Sequence, residues 1–184
     1  MIRKSLIALA AATLILSASC NKESIKSMYA SQETMIETIL NNLLSADEEG
    51  TMYVVGNGGS QRLVVVEGEG EPLTASGTVS FMYEAYTIPS TSISASNLFA
   101  TNVFETAKSA GRDTTDLSVF EPVTEKLSDK NLVKGLHNGI IGVKAGEECF
   151  ILFSGKYGFG GSGMGTVPSH AALAYHLKIT DVSQ

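Results

Sequence analysis

Near the C-terminus, "ALAYHLKITDV" sets Leu173, Tyr175, Leu177 and Ile179 at every second position, and a period of two places side chains on one face of a strand. The run "GTVSFMYEAYTI" repeats the pattern with Val79, Phe81 and Tyr83. Half-buried strands of this kind belong to antiparallel sheets with one face on a core. Three further β-rich runs, "TMYVV", "QRLVVVEGEG" and "ECFILFS", accompany them, and "GNGGS" between the first two is a hairpin signal. Short helices are expected at "NVFETAKSAG" and "LVKGLHNGI", with loop between the strands elsewhere. Strands with few short helices among them give an α+β fold on an antiparallel sheet. At 184 residues the chain holds one such domain and an appendage, because single cores commonly occupy about 100 to 150 residues.

The appendage is N-terminal. "MIRKSLIALAAATLILSASC" has a basic start at Arg3 and Lys4, an apolar run from Leu6 to Leu16 and small residues before Cys20. This is the layout of an export signal, and the run is short for a membrane span, which needs about 20 apolar residues. Its end resembles the lipobox of bacterial lipoproteins, in which the cysteine after small residues is lipidated and becomes the new N-terminus. Residues 1–20 are therefore expected to be a lipoprotein signal, with Cys20 as the lipidation site. Ser17 stands where a large apolar residue is usual, and ordinary signal cleavage is the alternative. The chain would then sit in the bacterial cell envelope, anchored by lipid to the outer membrane and facing the periplasm or the surface. Residues 21–50 hold a polar tether, "NKES", and a helix with Ile25, Met28, Met35, Ile36, Ile39, Leu40, Leu43 and Leu44 at helical spacing. That helix either packs along its own domain or pairs two chains into a homodimer.

Charge and composition exclude several functions. Loss of Arg3 and Lys4 takes the formal net charge from −6 to −8, which disfavours nucleic acid as a partner. With Cys20 assigned to lipid, Cys149 has no disulfide partner and reads as a small buried residue. His137, His170 and His176 lack metal-ligand spacing with Cys, Asp or Glu, so neither a metal nor a cofactor is implied.

The segment "GKYGFGGSGMG" carries six glycines between residues 155 and 165. It runs through Pro168 into a strand rather than a helix, so it is neither a Walker loop nor a dinucleotide fingerprint. Ser154 in "FSGK" lacks the nucleophile-elbow pattern. The order of pieces is more informative. "LVKGLHNGIIGVKAGEECFILFSGKYGFGGSGMGTVPSHAALAYHLKI" resembles the C-terminal half of the FKBP-type peptidyl-prolyl isomerases. Those proteins place a short helix with Gly-Trp-x-x-Gly, a strand, Tyr-x-Tyr-Gly, a glycine-rich loop, Ile-Pro-Pro and an alternating final strand in this order. Upstream, "GTVSFMYEAY" and "NLFATN" are similar to the family's Val-x-Tyr strand and Phe-Asp turn.

The resemblance implies an FKBP-like sheet half-wrapped around a short helix over residues 51–184, preceded by the N-terminal helix. It implies a substrate pocket lined by Tyr83, Phe99, Leu132, Val133, Leu136, Phe159, Val167 and Tyr175, with the Val133 N–H meeting a substrate carbonyl and Leu136 in place of the tryptophan floor. Phe104 with Glu105 offers a second alignment for the Phe-Asp turn, Val123 stands at a further aromatic pocket position with Phe120 nearby as the substitute, and Tyr157 and His170 match supporting positions. The activity implied is cis/trans isomerisation of X-Pro bonds, with no catalytic nucleophile, in proline-containing segments of unfolded or extracytoplasmic proteins. Phe159 lacks the hydroxyl of the family's tyrosine, Leu136 lacks the indole, and Ala100 stands where an acid is usual, so reduced efficiency is expected. The alternative is a peptide-binding or chaperone lipoprotein that keeps the fold without the catalysis.

Overall fold

In the computed structural model the described residues are 2–184, with side chains described from residue 22 onward. The side chains of residues 1–21, among them Cys20 and the rest of the expected export signal, lie outside them. Helix α1 (Ile2–Ser45) leads into β1 (Tyr53–Asn57), β2 (Ser60–Val66) and β3 (Thr78–Thr87). Strand β4 (Leu98–Thr101), helix α2 (Phe104–Ser109), strand β5 (Val123–Lys126) and helix α3 (Lys134–Ile140) follow, then β6 (Glu148–Phe153) and β7 (Leu173–Ser183). The strands form one antiparallel sheet in the order β1-β2-β6-β7-β3-β4, with β5 also paired to β3.

Local chemistry explains several of these elements. Asn57 pairs with Ser60, so the β1–β2 turn has two residues, Gly58 and Gly59, at φ 57° and 90°. A two-residue turn with positive φ at both positions matches the twist of a hairpin and requires glycine or asparagine. Strand β3 divides its free edge between two short partners: Thr78 to Phe81 pair with β5, and Glu84 to Tyr86 with β4. Buried Asn102 fills the gap. Its Oδ1 accepts from the Tyr83 N–H at 2.6 Å, and its Nδ2 donates to the Glu121 carbonyl at 2.9 Å. One side chain thus satisfies backbone groups that neither short strand reaches.

The sheet packs with its inner face on α3 and with part of its outer face on α1. Against the inner face, α3 packs Leu136 and Ile140 on Phe81, Ile151, Phe153, Leu173, Tyr175 and Leu177. On the outer face α1 lays Ile36, Ile39 and Leu40 over Leu63, Leu152, Ala172 and Ala174. This is why "ECFILF" shows little alternation: Cys149, Ile151 and Phe153 face inward, while Phe150 and Leu152 face the helix. The second half of the N-terminal helix packs along its own domain. Cys149 is a free, fully buried thiol, pushed well up in pKa by that burial.

Two expectations are corrected. Residues 22–24, read as part of a tether, are helical. Lysine and glutamate are good helix formers, and nothing there breaks the helix begun upstream. The stretch read as loop between β3 and α3 contains β4 and β5.

Candidate functional site

A cavity of about 300 Å³ opens between the inner face of β3 and β7, the start of α3 and the glycine-rich loop. Tyr83 comes from β3, Phe99 from β4, Leu132 and Val133 from the turn into α3, Leu136 from α3, Phe159 from the loop and Tyr175 from β7, and all seven line it. The rings interlock by their edges. Phe99 meets Phe159 at 6.2 Å between centroids and 82°, and Tyr175 at 6.1 Å and 88°. Tyr83 lies 6.4 Å from Tyr175, which in turn stacks on Phe153 at 5.9 Å. Edge-to-face contact suits the ring quadrupoles and fixes each ring more firmly than an aliphatic wall would.

Burial governs the polar atoms at the site. It pushes the pKa of the Tyr83 phenol up, with Arg112 pulling it slightly back, and pushes that of the Tyr175 phenol well above the usual tyrosine value. Both phenols are therefore neutral hydrogen-bonding groups at any physiological pH. Val133 is the N-cap residue of α3. Among the described residues, no group of three or more His, Cys, Asp and Glu is placed to hold a metal ion.

Of the eight positions singled out in the sequence, Val167 is the exception. It is 4% exposed within the inner core and does not line the cavity. The Met164 and Val167 backbones exchange hydrogen bonds of 3.1 and 2.8 Å in a tight turn, which directs Val167 inward and leaves Met164 on the wall. Phe81, Asn131 and Met164 line the cavity without having been singled out for it, and Ala100 and Val123, both named from the resemblance, line it too. Phe81 was legible as the neighbour two places before Tyr83 on the same strand face. Phe104, the alternative to Phe99, packs on Phe120 at 5.3 Å and is not a cavity residue.

The family model described as "FKBP-type peptidyl-prolyl cis-trans isomerase" matches residues 76–180, more than half of the chain. The chain belongs to that family. Solved structures agree on the fold. FkpA from Escherichia coli superposes with a TM-score of 0.55 at 19% identity, covering 99% of this chain and 71% of that one. A peptidyl-prolyl cis-trans isomerase from Pseudomonas syringae pv. tomato gives 0.55 at 15%, covering 84% and 95%. The three FKBP domains of wheat FKBP73 give 0.54 at 16%, covering 72% and 51%. No curated protein matches by sequence.

This FKBP-type domain has a larger cavity, of about 420 Å³, on the outer face between α1 and the loop after β3. Three of its polar residues, Glu84, Tyr86 and His176, are bonded within the wall. His176 sets Nδ1 2.8 Å from Glu84 and Nε2 2.8 Å from Glu148, so both ring nitrogens already have partners in the wall. Glu84 also accepts from Tyr86 at 3.1 Å and from Thr106. The inner cavity, with its ring walls, is the one that fits the family's chemistry.

Proposed function

We propose that this chain accelerates cis/trans exchange of X-Pro bonds in proteins exported to the bacterial envelope, with reduced efficiency. The observation that carries the reading is the ring-walled cavity formed by Tyr83, Phe99, Phe159 and Tyr175 around Leu136. Rotation about an X-Pro bond must overcome a barrier of about 18 to 20 kcal/mol, which gives unassisted exchange in tens of seconds or longer. A ten-thousandfold acceleration requires only about 5.4 kcal/mol of preferential binding to the twisted amide. The twisted amide has lost resonance and carries a smaller delocalised dipole than the planar one. An apolar, water-poor cleft therefore favours it, and no nucleophile is needed. In this reading the Val133 N–H donates to a substrate carbonyl and Leu136 supports the proline ring.

Three substitutions account for the reduced efficiency. Phe159 cannot donate to a substrate carbonyl, which costs about 0.5 to 1.5 kcal/mol, or a few-fold to about tenfold in rate. Leu136 offers less flat surface than an indole, whose burial amounts to about 150 to 250 Å². Ala100 supplies no acceptor at the cavity edge. These same departures favour a second reading, a peptide-binding module that holds X-Pro segments without turning them over. Envelope location rests on the export segment and on lipidation of Cys20, and mass spectrometry of the membrane fraction tests it.

Titration with an Ala-Leu-Pro-Phe peptide, followed by NMR, separates the readings. Isomerisation predicts shifts at Tyr83, Phe99 and Tyr175 together with faster cis/trans exchange. Shifts without faster exchange support the holding module, and a peptide that leaves all three rings unmoved contradicts both.

A further inference from the structure

Phe159 is held in a segment with every reason to wander. Six glycines lie between residues 155 and 165, and each adds backbone freedom that must be lost for a ring to keep its place. The backbone bonds within the segment are mostly local: Tyr157 to Ser154, Gly158 to Gly155, Gly163 to Gly160, and the Met164–Val167 pair. They shape individual turns without fixing the loop on the domain.

The loop is fastened at its neck. The Gln32 carboxamide of α1 bridges the two ends: its Oε1 accepts from the Gly155 N–H at 2.8 Å, and its Nε2 donates to the His170 carbonyl at 2.8 Å. One turn before it on the same helix, Tyr29 Oη lies 2.6 Å from His170 Nδ1. The ends also press on each other, since a Cβ on Gly155 would sit 2.0 Å from the His170 carbonyl oxygen. His170 itself holds a left-handed backbone at φ 58° and donates its N–H to Gly160 at 2.8 Å, one residue beyond Phe159. A chain of contacts thus runs from α1 through Gln32 and His170 to the loop segment that sets Phe159 against Phe99.

We propose that Gln32, supported by Tyr29, is a positioning residue for the isomerase site, acting through the loop neck on the Phe159 wall. The inference rests on the reading of the inner cavity as that site. It makes α1 part of the functional unit as well as the cover of the outer face.

The test compares three forms of the full chain. Gln32→Met keeps the length and helical fit of the side chain and removes both neck bonds. Leu40→Ala weakens the outer core, where α1 packs, without touching the loop. Peptide exchange kinetics, melting temperature and ring-to-ring NMR contacts between Phe159 and Phe99 are measured for each. Gln32→Met is expected to lower kcat/KM about tenfold, because a displaced wall binds the twisted amide less well. Its Phe159–Phe99 contacts should weaken, and its melting temperature should fall no further than that of Leu40→Ala, since the Gly155 N–H and the His170 carbonyl each lose a partner. Leu40→Ala should melt earlier with kcat/KM and ring contacts unchanged. The proposal is overturned by a Gln32→Met chain whose kcat/KM and ring contacts match wild type, or by a Leu40→Ala chain that loses activity to the same degree. A wild-type chain that leaves peptide exchange unchanged would instead sink the isomerase reading. The ring contacts would still decide whether Gln32 sets that wall.

Discussion

Replacing Phe99 by alanine separates the role of the cavity from the stability of the fold. Phe99 is half-buried on β4 and makes two edge-to-face contacts, with Phe159 at 6.2 Å and with Tyr175 at 6.1 Å. Such pairs contribute about 0.5 to 1.5 kcal/mol each beyond the area they bury, so the substitution removes about 1 to 3 kcal/mol of ring packing. The same rings would surround a twisted amide, and loss of that energy from its binding lowers kcat/KM by about fivefold to 150-fold. Phe104→Ala is the matched control, because Phe104 makes a comparable contact with Phe120 at 5.3 Å away from the cavity. Exchange NMR of a prolyl peptide and urea unfolding are run on both variants. Phe99→Ala should lose activity and some stability, whereas Phe104→Ala should lose stability alone. Equal stability losses with equal, unchanged activities would refute the assignment of the inner cavity as the catalytic cleft.

Other parts of the molecule give independent tests. Arg62 is buried, with Nη1 donating to the Gly139 and Ile141 carbonyls at 3.3 and 3.0 Å and Nε 3.4 Å from Glu147. Burial raises the Glu147 pKa, with Arg62 opposing it, so Arg62→Leu should destabilise by about 3 to 5 kcal/mol in urea unfolding and a second Glu147→Leu change should recover much of that. Burial acts to raise the Glu84 pKa, but bonds from Thr106, His176 and Tyr86 outweigh it and hold the carboxyl below the usual 4.5. Ionised Glu84 therefore contributes stability above that pH that is lost as pH falls through the folded value. Glu84→Gln should flatten the acid side of the melting profile, and an unaltered profile would show that Glu84 does not set it. Gly155→Ala forces a methyl group toward the His170 carbonyl. It should lower the melting temperature and disturb the Phe159 amide signal, whereas alanine at an open position such as Gly70→Ala should leave that signal in place.

Much of the fold was legible because its signals are local. The period of two in β3 and β7, the Gly58–Gly59 turn and the apolar stripe of α1 each follow from neighbouring residues. Strands β4 and β5 were not legible. Each has four residues, and each exists because β3 offers an edge that Asn102 divides between them. Seven residues that line the inner cavity could be placed from the resemblance to the family. Val167 could not, because the turn that directs it inward depends on how Met164 and Val167 bond across Gly165 and Thr166. Contacts from Gln32 to Gly155 and His170 span 123 and 138 residues, and no local pattern announces a polar helix residue that fastens a distant loop.

The most direct measurement is the cis/trans exchange rate of an Ala-Leu-Pro-Phe peptide in the presence of a sub-stoichiometric amount of the purified chain. Catalysis from the ring-walled cavity predicts exchange well above the uncatalysed rate, rising with protein concentration and clearly lower with Phe99→Ala. An exchange rate that stays at the uncatalysed value while the peptide still shifts Tyr83, Phe99 and Tyr175 would contradict the account and leave a cleft that holds prolyl segments without turning them over.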